Sequence, residues 1–206
     1  MIKEVYLIRH SKPLKVNNDK NMDSLQIQNE KQPLSIEGEN IAREKLNIDE
    51  LKDIDKLYSS SYVRAISTAK YIAENNNIEI NVINDFGERK FGINSWDELP
   101  DNFGEKQFLD ENYKTEFGES QKEVRERMRK ALLEVVNNNE GKTILIVSHH
   151  TAMIFLLKKW CSISDNKCLL YKDKVILKDG CRNCETVKLL FKDGELVGIE
   201  NMEVCK

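Results

Sequence analysis

The sequence predicts a three-layer α/β/α sandwich on a mostly parallel sheet, with a hairpin at the sheet edge near the C-terminus. Three observations predict it. Glu4–Arg9 (EVYLIR) and Thr143–Ser148 (TILIVS) are continuous apolar runs of β-branched and aromatic type, the pattern of strands covered on both faces. Helical patterns lie between the strand candidates, and such alternation builds parallel sheets through right-handed crossovers. Finally, Glu185–Phe191 and Glu195–Glu200 flank Lys-Asp-Gly, a hairpin signal.

In chain order, the first strand is Glu4–Arg9, and Leu14–Pro33 carries no clear pattern. Ser35 to about Leu46 reads as a weak helix and Ile54–Ser59 as a strand. Tyr62, Ile66, Ala69 and Ala73 share a helical face, and Ile78–Ile83 is a fourth strand candidate. Ile93–Gly118 again resists assignment. Ser120-Gln-Lys-Glu123 is a capping box that opens a helix with Val124, Met128, Ala131, Leu132 and Val135 on one face, ending near Asn137–Gly141. After the Thr143–Ser148 strand, Thr151–Trp160 is apolar nearly all round, as a helix buried in a layered domain would be. The expectation is a single domain over residues 1–206 with a lid or cap insertion at about 93–118. From Ile93 to Glu119 that segment holds eight acids against two lysines, a net charge of −6, with Trp96, Phe103, Phe108 and Tyr113 interspersed.

Composition narrows the function classes. A chain of 206 residues buries roughly 70% of its unfolded surface, enough for a core without disulfide staples. With 32 basic and 35 acidic residues, a net charge of −3 and no basic stripe, nucleic acid is not an expected partner. The longest apolar stretch, Ala152–Leu157, is far short of the ~20 residues a bilayer span needs. No secretory pattern follows Met1, so a cytoplasmic protein without membrane partners is predicted. The five cysteines, Cys161, Cys168, Cys181, Cys184 and Cys205, are odd in number and read as reduced thiols. Cys181 and Cys184 form a C-x-x-C pair, but a four-ligand zinc site would need two further ligands that the neighbourhood lacks.

The three histidines are the sharpest signal. His10 ends the first predicted strand, and His149 and His150 end another. In an open parallel sheet, ligands bind beyond the carboxyl ends of the strands, where His10 and His149 would converge. Arg9, at the end of an apolar strand, would be costly to bury alone and implies an anionic partner. Arg64 opens a helix after a strand, where a guanidinium can fork onto phosphate oxygens. Glu88 supplies a carboxyl group after the fourth strand.

On these residues the chain resembles the histidine phosphatases of the phosphoglycerate-mutase-like superfamily. Leu7-Ile-Arg-His10, Pro33-Leu-Ser-Ile-Glu-Gly38, Ser59-Ser-Ser with Arg64-Ala and Thr68-Ala, Glu88 with Phe91-Gly92, Gly118-Glu-Ser120 and Ile146-Val-Ser-His149 follow the family's order. The resemblance implies that His10 is the nucleophile and forms a phosphohistidine, and that Arg9, Arg64 and His149 hold the phosphoryl oxygens. Glu88 would be the general acid and base, with no metal or organic cofactor, acting on a small phosphorylated substrate. Ser11 and His150 stand where the family usually has Gly, and Asn17 and Asn18 lie one or two places beyond its frequent Asn. The Arg-rich substrate segment of the mutases is replaced here by an acidic one, which favours a phosphatase. A phosphomutase and a non-catalytic phosphate-binding module are the alternatives. The physiological substrate and oligomeric state are not legible. Arg89, Lys90 and Lys12 read as solvated bases, and the aromatics between 93 and 118 as packing residues.

Overall fold

A computed structural model describes residues 2–15, 24–164, 166, 168–178 and 180–202. Among them, six strands form the main sheet in the order β3-β2-β4-β1-β8-β9. These are β1 (Ile2–Arg9), β2 (Lys56–Ser59), β3 (Ile80–Val82), β4 (Ile144–Ser148), β8 (Thr186–Lys192) and β9 (Glu195–Asn201). The first four are mutually parallel, and the β8–β9 hairpin adds the antiparallel pairs. The expected mostly parallel sheet with an edge hairpin is therefore present, and its turn is built on Asp193-Gly194, both at positive φ.

Alternate residues of the buried strands feed two cores. Val5, Leu7, Ile144 and Ile146 face α5 (Gln121–Asn138) and α6 (His150–Leu157), packing on Val124, Met128, Leu132 and Phe155. Tyr6, Ile8, Leu57, Leu145 and Val147 face α2 (Ile36–Lys45) and α3 (Val63–Asn76), packing on Ala42, Ala65, Ala69 and Ile72. Burying both faces explains why β1 and β4 read as unbroken apolar runs. Ser120 caps α5 through the Glu123 N–H, and the Glu123 carboxylate returns to the Ser120 N–H.

The unassigned stretches contain short elements. Leu25–Lys31 is helix α1, Phe103–Leu109 is helix α4, and Trp96–Glu98 is a 3-10 turn. The segment from 93 to 118 is tied to α5 and α6: Arg125 pairs with Glu111, and Lys158 Nζ donates to the Phe108 carbonyl at 2.9 Å. A second sheet, β5 (Ser162–Ile163), β6 (Leu169–Tyr171) and β7 (Lys174–Leu177), has no counterpart in the sequence reading. Among the described residues no helix is long and apolar enough to cross a membrane.

Candidate active site

Strand register assembles the site. Arg9 of β1 pairs with Ser148 of β4, and Val147 pairs with Ser59 of β2. Three adjacent parallel strands thus end level, and the next residue of each, His10, His149 and Ser60, is buried at the carboxyl edge of the sheet. The His10 N–H donates to the Ser148 carbonyl and the Ser60 N–H to the Val147 carbonyl, extending the ladder one step into the site. Arg64 enters from the first turn of α3.

The histidine tautomers follow from their partners. His10 Nδ1 lies 2.6 Å from the Ser11 carbonyl, which can only accept, so Nδ1 carries the proton and Nε2 holds a lone pair. Arg64 Nε donates to that Nε2 at 3.1 Å. Arg64 Nη2 donates to His149 Nδ1 at 3.3 Å, and His149 Nε2 therefore donates to Ser60 Oγ at 2.6 Å. The two imidazoles are 5.0 Å apart between centroids. Arg64 also donates to the Asn29 carbonyl of α1 and lies 4.8 Å over the Tyr62 ring, which fixes its plane. Burial, reinforced by the Arg64 guanidinium, holds His10 well below the ordinary imidazole value. Burial, with His10 and Arg64 adding to it, does the same to His149.

Arg9 is held by the loop after β7. Its Nη1 donates to the Cys181 carbonyl at 2.5 Å, and Nε is buried with no hydrogen-bond partner among the described residues. The same loop fastens the strand end: the Cys184 N–H donates to the Arg9 carbonyl, and Asn183 Nδ2 donates to the His10 carbonyl. The C-x-x-C pair therefore belongs to a backbone clamp on Arg9 and His10. Cys181 and Cys184 are buried, and none of the four described cysteines is disulfide-bonded; Cys205 lies outside the described residues. Among the described residues no three His, Cys, Asp or Glu side chains converge as metal ligands would.

Glu88 follows the 3-10 turn after β3 and reaches the start of α6. Its Oε1 accepts from the N–H groups of Arg89 and Ala152 at 2.9 and 3.0 Å, and Oε2 accepts from Thr151 N–H at 3.1 Å. Its charge acts on Arg64 and Tyr62. The five residues expected at the site, Arg9, His10, Arg64, Glu88 and His149, thus gather at one end of the sheet.

The atypical residues have defined partners. Ser11 turns its hydroxyl to the Gly38 carbonyl at 2.7 Å and its N–H to Thr68 Oγ1 at 2.9 Å. Gly38 has no room for a side chain, since a Cβ there would sit 2.0 Å from the Lys12 carbonyl oxygen. His150 Nδ1 lies 2.8 Å from the Cys181 carbonyl. Asn17 and Asn18 lie outside the described residues. The expectation of a solvated Arg89 is corrected: its guanidinium lies 4.8 Å from the Phe91 ring and 5.6 Å from the Phe103 ring. Lys12 pairs with Glu37 at the surface. Of the segment's acids, Glu111 and Glu119 are neutralised by Arg125 and Arg127.

Sequence reasoning missed Arg127. This residue of α5 donates to the carbonyls of Asp85, Gly87 and Glu88 at 2.6, 3.1 and 3.1 Å. It also forks onto Glu119 at 2.7 and 2.9 Å, and Glu119 Oε2 accepts the Lys90 N–H at 2.9 Å. The loop is therefore pinned on both sides of Glu88. The available signal was an arginine on the face shared by Val124, Met128 and Ala131, where a charge needs a partner. Ser60, the middle of Ser59-Ser-Ser, was quoted only within its motif.

A sequence profile described as the histidine phosphatase superfamily (branch 1) matches residues 5–194. The chain belongs to this superfamily. It is accordingly an enzyme that hydrolyses phosphate esters. Among solved structures, a mycobacterial glucosyl-3-phosphoglycerate phosphatase superposes with a TM-score of 0.72 at 17% identity, covering 98% of each chain. Bacillus stearothermophilus YhfR gives 0.68 at 22% identity, covering 95% of this chain and 94% of that one. A mutant phosphoserine phosphatase from Entamoeba histolytica, in complex with phosphoserine, gives 0.63 at 21% identity over 96% of both chains. At these identities the likeness is one of fold. No curated protein sequence matches.

Proposed function

We propose that this protein is a metal-independent phosphomonoesterase that works through a phosphohistidine on His10. The observation that carries the reading is the His10 tautomer: with Nδ1–H on the Ser11 carbonyl, the Nε2 lone pair faces Arg64 and His149. A buried imidazole kept neutral is a competent nucleophile at neutral pH.

In this reading the phosphoryl group sits between Arg64, Arg9 and His149, and Arg9 Nε is a buried donor available to it. Such fixed donors carry most of the stabilisation in phosphoryl transfer. His10 Nε2 forms a bond to phosphorus while the bond to the ester oxygen breaks. Glu88 gives its proton to the departing alkoxide, releasing the alcohol. Glu88 then takes a proton from water, whose oxygen attacks phosphorus, and the P–N bond breaks to return neutral His10 and inorganic phosphate. Ser60 orients His149, and residues 93–118 act as a lid over the leaving group.

The test is p-nitrophenyl phosphate hydrolysis with EDTA present. Wild-type protein releases phosphate at an unchanged rate and His10→Ala releases none. Loss of wild-type activity to EDTA, or an active His10→Ala, would overturn the proposal, and isomer exchange without phosphate release would assign a mutase instead.

A further inference from the structure

A cleft of about 620 Å³ opens at His150, the residue that follows His149. His150 and Ile154 of α6 form its base, Phe108 and Leu109 of α4 one wall, and Ile163 and Leu177 of the small second sheet the other. It adjoins the phosphate-binding residues through one atom. The Cys181 carbonyl that takes Arg9 Nη1 is also 2.8 Å from His150 Nδ1. Gly180, at φ +81, makes this packing possible, since a Cβ there would lie 2.6 Å from His150 Cε1.

The lining has a definite chemistry. Apolar side chains dominate it, and two of them, Leu109 at 79% and Ile163 at 37% exposure, are large hydrophobics left facing solvent at the rim. The ionisable groups that line it are Glu105 and His150, and among the described residues no lysine or arginine does. A second carboxylate or phosphate on the substrate would lose its hydration against these apolar walls. An uncharged hydrocarbon group would cover the exposed side chains. The volume is that of a pocket for one small organic group.

We infer that this cleft is the leaving-group subsite, and that it selects phosphomonoesters of uncharged apolar alcohols, alkyl or aromatic, over those of hydroxy acids and amino acids. The inference rests on the phosphomonoesterase reading above and assigns the substrate class. Both walls come from α4 and the small sheet, outside the strands that carry the phosphate-binding residues. Selectivity and chemistry are thereby built on separate elements.

The experiment measures kcat/KM for ethyl, butyl and hexyl phosphate, whose leaving groups are equally basic, beside phosphoserine and 3-phosphoglycerate. Full burial of each methylene would raise kcat/KM about fourfold, so hexyl phosphate should exceed ethyl phosphate by on the order of 100-fold. Leu109→Ser combined with Ile163→Ser, both at exposed positions, should cut the hexyl-to-ethyl ratio about tenfold. That ratio is taken on one preparation and does not depend on how much of it is folded. A flat alkyl series, a preference for the charged substrates, or a ratio unmoved by the double variant would overturn the inference while leaving the phosphatase reading intact. Absence of phosphate release from every ester, p-nitrophenyl phosphate included, would instead sink the phosphatase reading and this inference with it.

Discussion

Removing Arg127 separates a structural role from a positioning one. The guanidinium holds the carbonyls of Asp85, Gly87 and Glu88 and forks onto Glu119, and the two side chains of that pair are only 18% and 17% exposed. Taking one partner from a buried pair costs 3–5 kcal/mol, and the partial exposure places Arg127→Ala near the lower end, about 3 kcal/mol. For a chain of this size that lowers Tm by about 6–12 °C. The released loop carries Glu88, and a displacement of about 1 Å can cost on the order of 100-fold in rate, within the 10²–10⁴ that a general acid supplies. The loss should fall on esters that need a proton to depart. For p-nitrophenyl phosphate, whose phenolate leaves unaided, kcat/KM should drop less than about tenfold, whereas for butyl phosphate it should drop about 100-fold. Because kcat/KM ends at departure of the alcohol, hydrolysis of the phosphoenzyme does not enter. Arg127→Lys, which keeps the charge but not the fork, should lie between. Equal losses on both esters would show that Arg127 merely supports the fold and would refute the positioning argument.

Other outcomes follow from the same geometry. Glu88→Gln should still be phosphorylated by p-nitrophenyl phosphate but turn over slowly, giving a burst of nitrophenol near one equivalent of enzyme; a linear time course would remove Glu88 from the hydrolytic step. His10 and His149 are both held well below the ordinary value of 6.5 in the folded protein, so between their folded values and 6.5 the unfolded chain binds more protons. Their contribution to stability is complete above about pH 6.5 and is lost as pH falls toward the folded values. Thermal melts from pH 8 to 5 should show Tm declining below about 6.5, with a shallower decline for His149→Asn. Ser120→Ala removes the side-chain half of the α5 capping box, leaving the Ser120 N–H on the Glu123 carboxylate, and should cost about 1 kcal/mol, or 2–4 °C in Tm.

The strands and long helices were legible because burial on two faces, or along one stripe, leaves a strong periodic imprint. β1 and β4 are unbroken apolar runs for that reason, and α5 begins at the Ser120 box. The small sheet was not legible. Its β6–β7 turn uses Lys172-Asp173, both at positive φ, where a sequence reader looks for Gly or Asn. Helices α1 and α4 span seven residues each, too short for a clear 3.6 period. At the site, Arg9, His10, Arg64, Glu88 and His149 were found because ionisable residues at element ends stand out. What holds them was not: the carbonyls of Ser11, Asn29 and Cys181 are main-chain atoms, and no side-chain pattern announces them.

The central claim is that phosphorus becomes bonded to His10, and the most direct measurement traps that bond. Wild-type protein and Glu88→Gln, mixed with 32P-labelled p-nitrophenyl phosphate and quenched in alkali, are digested and mapped. The account predicts acid-labile, alkali-stable label on the peptide carrying His10, greater in Glu88→Gln and absent in His10→Ala. Label on another residue, or turnover with no labelled peptide at any time, would contradict it.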